Sequence, residues 1–350
     1  MKNQYEVKRM RVMICPDSKS IYIRSLVHHL IKNGAEVRLI PWFGKQFPLS
    51  FLKLIKAKRD GFDILHLHWI PFNWYFMITS VRRLCDNYGI KMVWTIHNLK
   101  PHNPQFCNNR DVIAMRCIAD WADAGIVHCE RTKHEFQELY GESLPLYVIP
   151  HGNFNEYVEL RVRNVARRRL DIPEEKIVLL MFPPNRWNKG IRTFIEVLER
   201  LPSNYIGIMA GQCRDRAIRK YILEQKKVLK NRLIVNLNYV TADETHDYFA
   251  AADIFFMPYD DITTSGSVIH AMSYAKAIIS TNKGNLYELV NNGVNGYLCE
   301  SPDEMIYVIK SIDVEMAKKM GEMSRKIAER FDWDDIAVKT IQIYKSLNSD

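Results

Sequence analysis

Strand-like and helix-like segments alternate along almost the whole of this chain, and that alternation confines it to one fold class. MRVMIC (10–15) is a short apolar run, followed by a polar loop and then by IYIRSLVHHLIKNGAE, an amphipathic stretch stopped at Gly34. The same order recurs. VRLIPWF (37–43), FDILHLHW (62–69), IKMVWTIHN (90–98), AGIVHC (124–129) and LYVIPHG (146–152) read as strands, with helices predicted over 75–88, 110–121 and RTKHEFQELYG. The pattern then lapses between Gly152 and Lys176 into a polar, charged stretch closed by Pro173, where the domain boundary is placed. A second series follows, with strands KIVLLMF (176–182), YIGIMAG (205–211), LIVNLNYV (233–240), DIFFMPY (253–259) and KAIISTN (276–282). Helices are expected between them and onward to 330, and FDWDDIAVKTIQIYKSL reads as a closing amphipathic helix.

Strands alternating with helices make a parallel sheet covered on both faces. At 350 residues the chain is about twice the ~150 residues that suit one core, so the expectation is α/β with two tandem Rossmann-like, doubly wound domains. Domain boundaries are placed at 1–160 and 161–330, with 331–350 as the final helix.

Charge is distributed unevenly. The first hundred residues hold 17 Lys/Arg and 6 Asp/Glu, a charge of +11, which leaves −2 for the other 250 out of a total of +9. An anionic partner of the N-terminal part is implied. The seven cysteines, at 15, 85, 107, 117, 129, 213 and 299, include no CxxC pair, so a zinc spacing and a disulfide framework are both missing and a reducing compartment is expected. The N-terminal stretch lacks a signal-peptide apolar core, and no run reaches the ~18 apolar residues of a membrane span.

Ligands of open parallel sheets bind beyond the carboxyl ends of the strands. Asp17 and Ser18 follow the first strand, His66 and His68 end the third, His97 and Asn98 follow the next, His102 lies beyond Pro101, and His151-Gly152 closes the series. One sheet edge would thus gather several imidazoles able to bind hydroxyls or act in acid/base chemistry near neutral pH. There is no GxGxxG, no GxxxxGK[ST] and no HExxH, which argues against a dinucleotide fold, a P-loop and a zinc hydrolase. In the second half PPNRWNKG (183–190) places Arg186 and Lys189 just ahead of a helix, a pairing suited to a diphosphate. DDITTSGSV (260–268) offers Thr263, Thr264, Ser265, Gly266 and Ser267 as a phosphate cradle, the plain competing role being a helix N-cap.

These pieces, in this order, resemble the GT-B glycosyltransferases, the nucleotide-sugar-dependent clan that builds polysaccharides and glycolipids. The resemblance rests on TIHNLKPH (95–102), ADWADAGIVHCERTK (119–133), VIPHG (148–152), RWNKGI (186–191), AADIFFMPYDD with SGSVIHAMSYAKAIIST (251–281), GNLYELVNNGVNGYL (284–298) and the closing helix, and so covers nearly the whole chain. It implies two domains facing across a cleft, an acceptor-binding N-terminal one and a donor-binding C-terminal one, with the last helix crossing back to the first. It further implies that Arg186 and Lys189 neutralise the departing diphosphate of a UDP- or GDP-sugar, that Thr264, Ser265, Gly266 and Ser267 contact the same phosphates, and that the strand end at Tyr239-Val240 flanks the base. His97 would face the transferred sugar, and Asp17, Ser18, His68, His102 and His151 would border the acceptor. The E-x7-E carboxylates common in the retaining members are replaced by Ile262 and His270. His270 then becomes a candidate for a ribose hydroxyl, and the stereochemical outcome stays open. For inversion, His97, His102 and Asp17 are the candidate bases, with His97 favoured; otherwise His97 only binds the donor sugar.

KQFPLSFLKLIKAKRD (45–60) interleaves apolar residues with Lys45, Lys53, Lys56, Lys58 and Arg59, which suits an anionic bilayer surface or, equally, an ordinary amphipathic helix. The expectation is a metal-independent enzyme with no cofactor besides its nucleotide-sugar co-substrate, acting on a saccharide or polyprenyl-diphosphate-linked acceptor. It would be cytoplasmic and peripheral on the inner face of the membrane, with no nucleic-acid partner. The alternative is a GT-B-fold protein that binds a nucleotide-sugar or polyanion without turnover.

Overall fold

The strand–helix alternation folds into two six-stranded parallel sheets, each in its own unit of the chain. The computed structural model describes residues 9–41, 47–69, 75–99 and 109–348. One unit comprises residues 1–152 with 332–350, and the other comprises 153–331.

The first unit runs β1 (Arg11–Cys15), α1 (Ile21–Lys32), β2 (Glu36–Leu39), α2 (Phe47–Arg59), β3 (Ile64–His68), α3 (Tyr75–Tyr88), β4 (Lys91–Thr95), α4 (Asn109–Trp121), β5 (Ala124–Val127), α5 (Glu130–Tyr140) and β6 (Leu146–Val148). Its strand order is β2-β1-β3-β4-β5-β6, so the order reverses between β1 and β3. α1 begins where Ser20 Oγ accepts from the Ile23 N–H at 3.3 Å, and its Ile23, Leu26 and Leu30 are buried at helical spacing.

The second unit runs α6 (Arg163–Arg169), β7 (Ile177–Met181), α7 (Ile191–Arg200), β8 (Tyr205–Ala210), α8 (Arg216–Leu229), β9 (Leu233–Asn236), α9 (Ala242–Ala251), β10 (Ile254–Met257), α10 (Gly266–Ser273), β11 (Ala277–Thr281), α11 (Leu286–Leu289), β12 (Gly296–Cys299), α12 (Pro302–Ser311) and α13 (Val314–Ala328). The order β12-β11-β10-β7-β8-β9 reverses between β7 and β10. Both central strands, IVLLM and IFFM, are almost wholly buried, as a sheet covered on two faces requires.

α14 (Trp333–Leu347) belongs to the first unit and packs along α1. Its Trp333, Ile336, Ala337, Ile341 and Tyr344 share a core with Tyr22, Ile23, Leu26 and Leu30. Gly152 lets the chain pass close to Trp333, since a Cβ there would lie 2.2 Å from the indole. Asp334 accepts hydrogen bonds from His29 Nδ1 (2.8 Å), Lys32 Nζ and Asn33 Nδ2 (3.0 Å), and those donors hold its carboxyl below the usual range.

The arginine-rich stretch at the expected domain boundary is built into the second unit. Arg167 of α6 is fully buried and donates to Asp253 Oδ2 at 2.6 Å, to Ala251 O at 3.0 Å and to Lys176 O at 2.7 Å. Hydropathy hides such a residue because the arginine works as a multiple donor to carbonyls and one buried carboxylate. Residues 153–160, grouped above with the first domain, lie in the second unit, where Asn153 donates to Phe331 O and Ala328 O and the Phe154 N–H to Ser273 Oγ. The region read as helices onward to 330 contains β12, an edge strand whose Gly296 sits against Ile278 O so closely that a Cβ would be 1.9 Å away. The strand ending at Tyr239-Val240 stops at Asn236, whose Oδ1 accepts from the Asn238 N–H and turns the chain.

Candidate functional site

In the second unit the loops after β7 and β10 meet where the strand order reverses. The first carries Arg186 and a 3-10 turn, Trp187–Lys189, ended by Gly190 at φ +74°. That glycine is obligatory twice over: its φ is left-handed, and a Cβ would stand 1.6 Å from Pro258 O in the facing loop. Asn188 ties the two loops, with its Nδ2 donating to Asp261 O (3.0 Å) and its carbonyl accepting from the Asp260 N–H (2.9 Å). Ser265 Oγ caps α10 by accepting from the Val268 N–H (3.1 Å), lies 2.7 Å from Tyr259 Oη, and its own N–H donates to Asn285 Oδ1 (3.1 Å).

Lys189 Nζ donates to Ser267 Oγ at 3.3 Å. Burial, with the Arg186 charge beside it, pushes the Lys189 ammonium down to about 7. Arg186 keeps part of its side chain in solvent while partial burial lowers it, and burial raises Tyr259 to about 12. No carboxylate is among the charges that shift Arg186 or Lys189. Two crowded cations beside the Ser267 hydroxyl are a pairing whose repulsion a bound anion would relieve. His270 lies on α10 in an aromatic box of Phe154, Phe249 and Tyr274, with centroids 4.8–5.1 Å away, and burial pushes it down to about 4.

In the first unit the carboxyl ends of β3, β4, β5 and β6 bring five histidines together. His68 Nδ1 lies 3.2 Å from His97 Nε2, and His97 Nδ1 lies 3.3 Å from His128 Nε2. His128 Nδ1 donates to Ile149 O at 2.9 Å, and His151 Nδ1 to Gly152 O at 2.7 Å. His66 Nδ1 is 2.5 Å from Tyr344 Oη, and its Nε2 is 2.7 Å from Thr95 Oγ1. Tyr22 of α1 stands edge-on to His97 at 4.9 Å, and Trp69, at a left-handed φ of +41°, stacks on that ring at 4.5 Å and 16°. Burial holds His66 and His151 down to about 3 and His128 down to about 4, so these rings are neutral at pH 7. Among the described residues no group of three or more His, Cys, Asp or Glu side chains is placed to hold a metal ion.

Two family profiles cover most of the chain: residues 12–152 match glycosyltransferase family 4, and residues 176–312 match glycosyl transferases group 1. The chain belongs to the GT-B glycosyltransferases. This glycosyltransferase is 25% identical over 216 residues to a lipopolysaccharide 1,2-N-acetylglucosaminetransferase of Salmonella typhimurium, a stretch that is 57% of this chain and 57% of that protein. It is 26% identical over 346 residues to a D-inositol 3-phosphate glycosyltransferase of Paenarthrobacter aurescens, covering 91% of this chain and 78% of the other. Anabaena HepE, solved in complex with UDP and glucose, has the same fold, with a TM-score of 0.77 at 17% identity over 97% of this chain and all of that one.

Of the residues singled out from sequence, Arg186 and Lys189 stand on the loop after β7, Thr264, Ser265, Gly266 and Ser267 at the start of α10 joined to it through Lys189 and Ser267, and His68, His97 and His151 lie in one cluster. Asp17 is exposed after β1, its N–H donating to Ile40 O at 2.7 Å, and Ser18 Oγ accepts from the Ser20 N–H. Tyr239 is 72% exposed and stands with Val240 on the loop beyond β9. His102 and Lys45 lie outside the described residues. On α2, Lys53, Lys56 and Arg59 are exposed with Leu49 and Leu52, but Lys58 is tied to Asp63 Oδ1 at 2.6 Å. Sequence reasoning missed His128, Asn285 and Tyr259. His128 carried a usable signal, standing at a strand end like the other histidines. The partners of Asn285 and Tyr259 depend on loop closure that no spacing reveals.

Proposed function

We propose that this glycosyltransferase moves a sugar from a UDP-sugar to the hydroxyl of a saccharide, free or linked to a polyprenyl diphosphate, at an anionic membrane surface. The observation that carries the donor half is the Arg186–Lys189 pair, whose charges meet no carboxylate among the described residues and which adjoins Ser267 and the start of α10. As the glycosidic bond breaks, negative charge grows on the diphosphate, and fixed cations there lower the barrier. Thr264, Gly266 and Ser267 would add hydroxyl and N–H donors, while Ser265, proposed from sequence as a phosphate contact, is buried and spends its N–H on Asn285 and its Oγ on Val268 and Tyr259, so that it holds the loop instead; His270 would add a ribose contact, and Tyr239-Val240 a flank for the base. UDP is preferred to GDP because HepE was solved with UDP. The histidine cluster, with Asp17 and Ser18, is proposed to receive the acceptor, which fits the saccharide chemistry named for the Salmonella relative.

The proposed membrane contact is the exposed face of α2, with Leu49, Leu52, Lys53, Lys56 and Arg59, on the cytoplasmic side. Among the described residues no helix is long and apolar enough to cross a membrane. Metal-independent turnover is proposed, since the two cations supply the charge that a divalent ion would bring to the phosphates. A second reading, nucleotide-sugar binding without turnover, is favoured by Ile262 and His270 standing where the family resemblance leads one to expect the E-x7-E carboxylates.

The deciding experiment is release of UDP from a panel of UDP-sugars with lipid-linked and free saccharide acceptors, with and without EDTA. Turnover that survives EDTA and falls at least a hundredfold in Arg186→Ala is the expected result. Unchanged UDP affinity in that variant refutes the donor assignment, and tight binding with no turnover selects the second reading.

A further inference from the structure

The histidine cluster has a proton order that can be followed ring by ring. Ile149 O can only accept, so His128 Nδ1 carries a proton, and the neutral His128 ring keeps a lone pair on Nε2. His97 Nδ1, 3.3 Å from that lone pair, must then be the donor. A His97 ring that carries a single proton then has a lone pair on Nε2, which receives the proton of the neutral His68 at Nδ1, 3.2 Å away. The remaining lone pair falls on His68 Nε2. His68 is 1% exposed, burial and its neighbouring histidines hold it neutral, and its Nε2 has no hydrogen-bond partner among the described residues. A buried acceptor without a donor is costly, and a ligand that brings one is favoured.

We propose that His68, His97 and His128 form a proton-ordered imidazole chain whose direction is fixed by the Ile149 carbonyl, and that its open end, His68 Nε2, accepts a hydrogen bond from a ligand hydroxyl. His128 is then a positioning residue, setting the tautomer of His97 and, through it, of His68. The polarity carries specificity: a lone pair selects an O–H donor, as saccharides supply, and rejects a carbonyl or ether oxygen in the same place. This rests on the acceptor reading given above and adds to it the atom and the direction of the bond.

The test is long-range proton–nitrogen NMR on the full-length, ligand-free protein labelled in histidine, with signals assigned through His68→Asn, His97→Asn and His128→Phe. All three rings are expected to carry the proton on Nδ1 and a lone pair on Nε2. An Nε2–H on His68 or His97, as a protonated His97 would produce, overturns the chain. In His128→Phe the Nδ1–H preference of His97 is expected to be lost, whereas a merely space-filling His128 would leave it unchanged and overturn the positioning role. Methyl α-glucoside is then titrated in, and the His68 Nε2 signal is expected to move more than those of His97 and His128. An unmoved His68 signal with the expected tautomers assigns the donor to trapped water and overturns docking of a sugar hydroxyl. In turnover assays His68→Asn is expected to raise the acceptor KM about tenfold with UDP affinity unchanged. The tautomers are read without substrate, so their failure leaves the donor assignment standing, and failure of UDP-sugar turnover leaves the tautomers standing.

Discussion

If Lys189 holds the donor diphosphate, donor binding must take up a proton near neutral pH. Its ammonium is pushed down to about 7 by burial and by Arg186, so in the free enzyme it is about half charged at pH 7. The phosphates require the charged form, and the sugar-esterified diphosphate does not itself titrate between pH 6 and 8. The apparent Kd for a UDP-sugar therefore scales as one plus the ratio of neutral to charged lysine. With a free-enzyme value of about 7, this rises about tenfold from pH 6 to pH 8, or about 1.4 kcal/mol. Proton uptake on binding is expected to be about 0.5 at pH 7 and about 0.9 at pH 8. Calorimetry in buffers of different ionisation enthalpy reads that uptake directly. Lys189→Arg, whose guanidinium stays charged, is expected to flatten the profile, and Lys189→Met to weaken binding at every pH with no uptake. A flat wild-type profile without proton uptake, beside weak binding by Lys189→Met, would refute the argument that burial has made this cation titrate near pH 7.

Other consequences are equally concrete. Gly190→Ala is expected to cost at least about 2 kcal/mol in urea unfolding and to reduce UDP affinity, because φ +74° and contact with Pro258 O leave no room for a Cβ; a stable variant with wild-type affinity would contradict the loop packing. Asp253→Ala strands Arg167 in the core, and a loss of about 3–5 kcal/mol is expected by the same assay, with a loss below about 1 kcal/mol arguing against a buried pair. Reversing Lys53, Lys56 and Arg59 to Glu should abolish co-sedimentation with anionic liposomes, and wild-type binding should fall with added salt; salt-indifferent binding, unaltered by the reversals, would remove α2 from the membrane proposal.

Much of this was legible in the chain itself, and the residues show why. Apolar strands such as IVLLM and the helices between them announce a doubly wound sheet, so the strand ends, and with them Arg186, Ser267 and His97, could be placed at the right edge from spacing alone. Arg167 could not, because a charged residue reads as surface until its carbonyl partners and Asp253 are known. β12 escaped because a four-residue edge strand with a glycine at its head carries little pattern of its own. The direction of the imidazole chain was hidden for a further reason: it is fixed by one backbone carbonyl, Ile149 O, and a sequence gives carbonyls no address.

The placement of α14 also bears on how the protein is made. Residues 333–347 leave the ribosome after all of the second unit, yet they complete the first, covering Tyr22 with Trp333 and meeting His66 with Tyr344. The earlier-synthesised unit is thus the later one to be finished, and the second can reach its native packing while the first still lacks a wall. A chain interrupted near residue 332 would carry a complete second unit and a first unit whose histidine cluster lacks Trp333 and Tyr344, and nascent chains should show protease resistance in the 153–331 region before the 1–152 region acquires it.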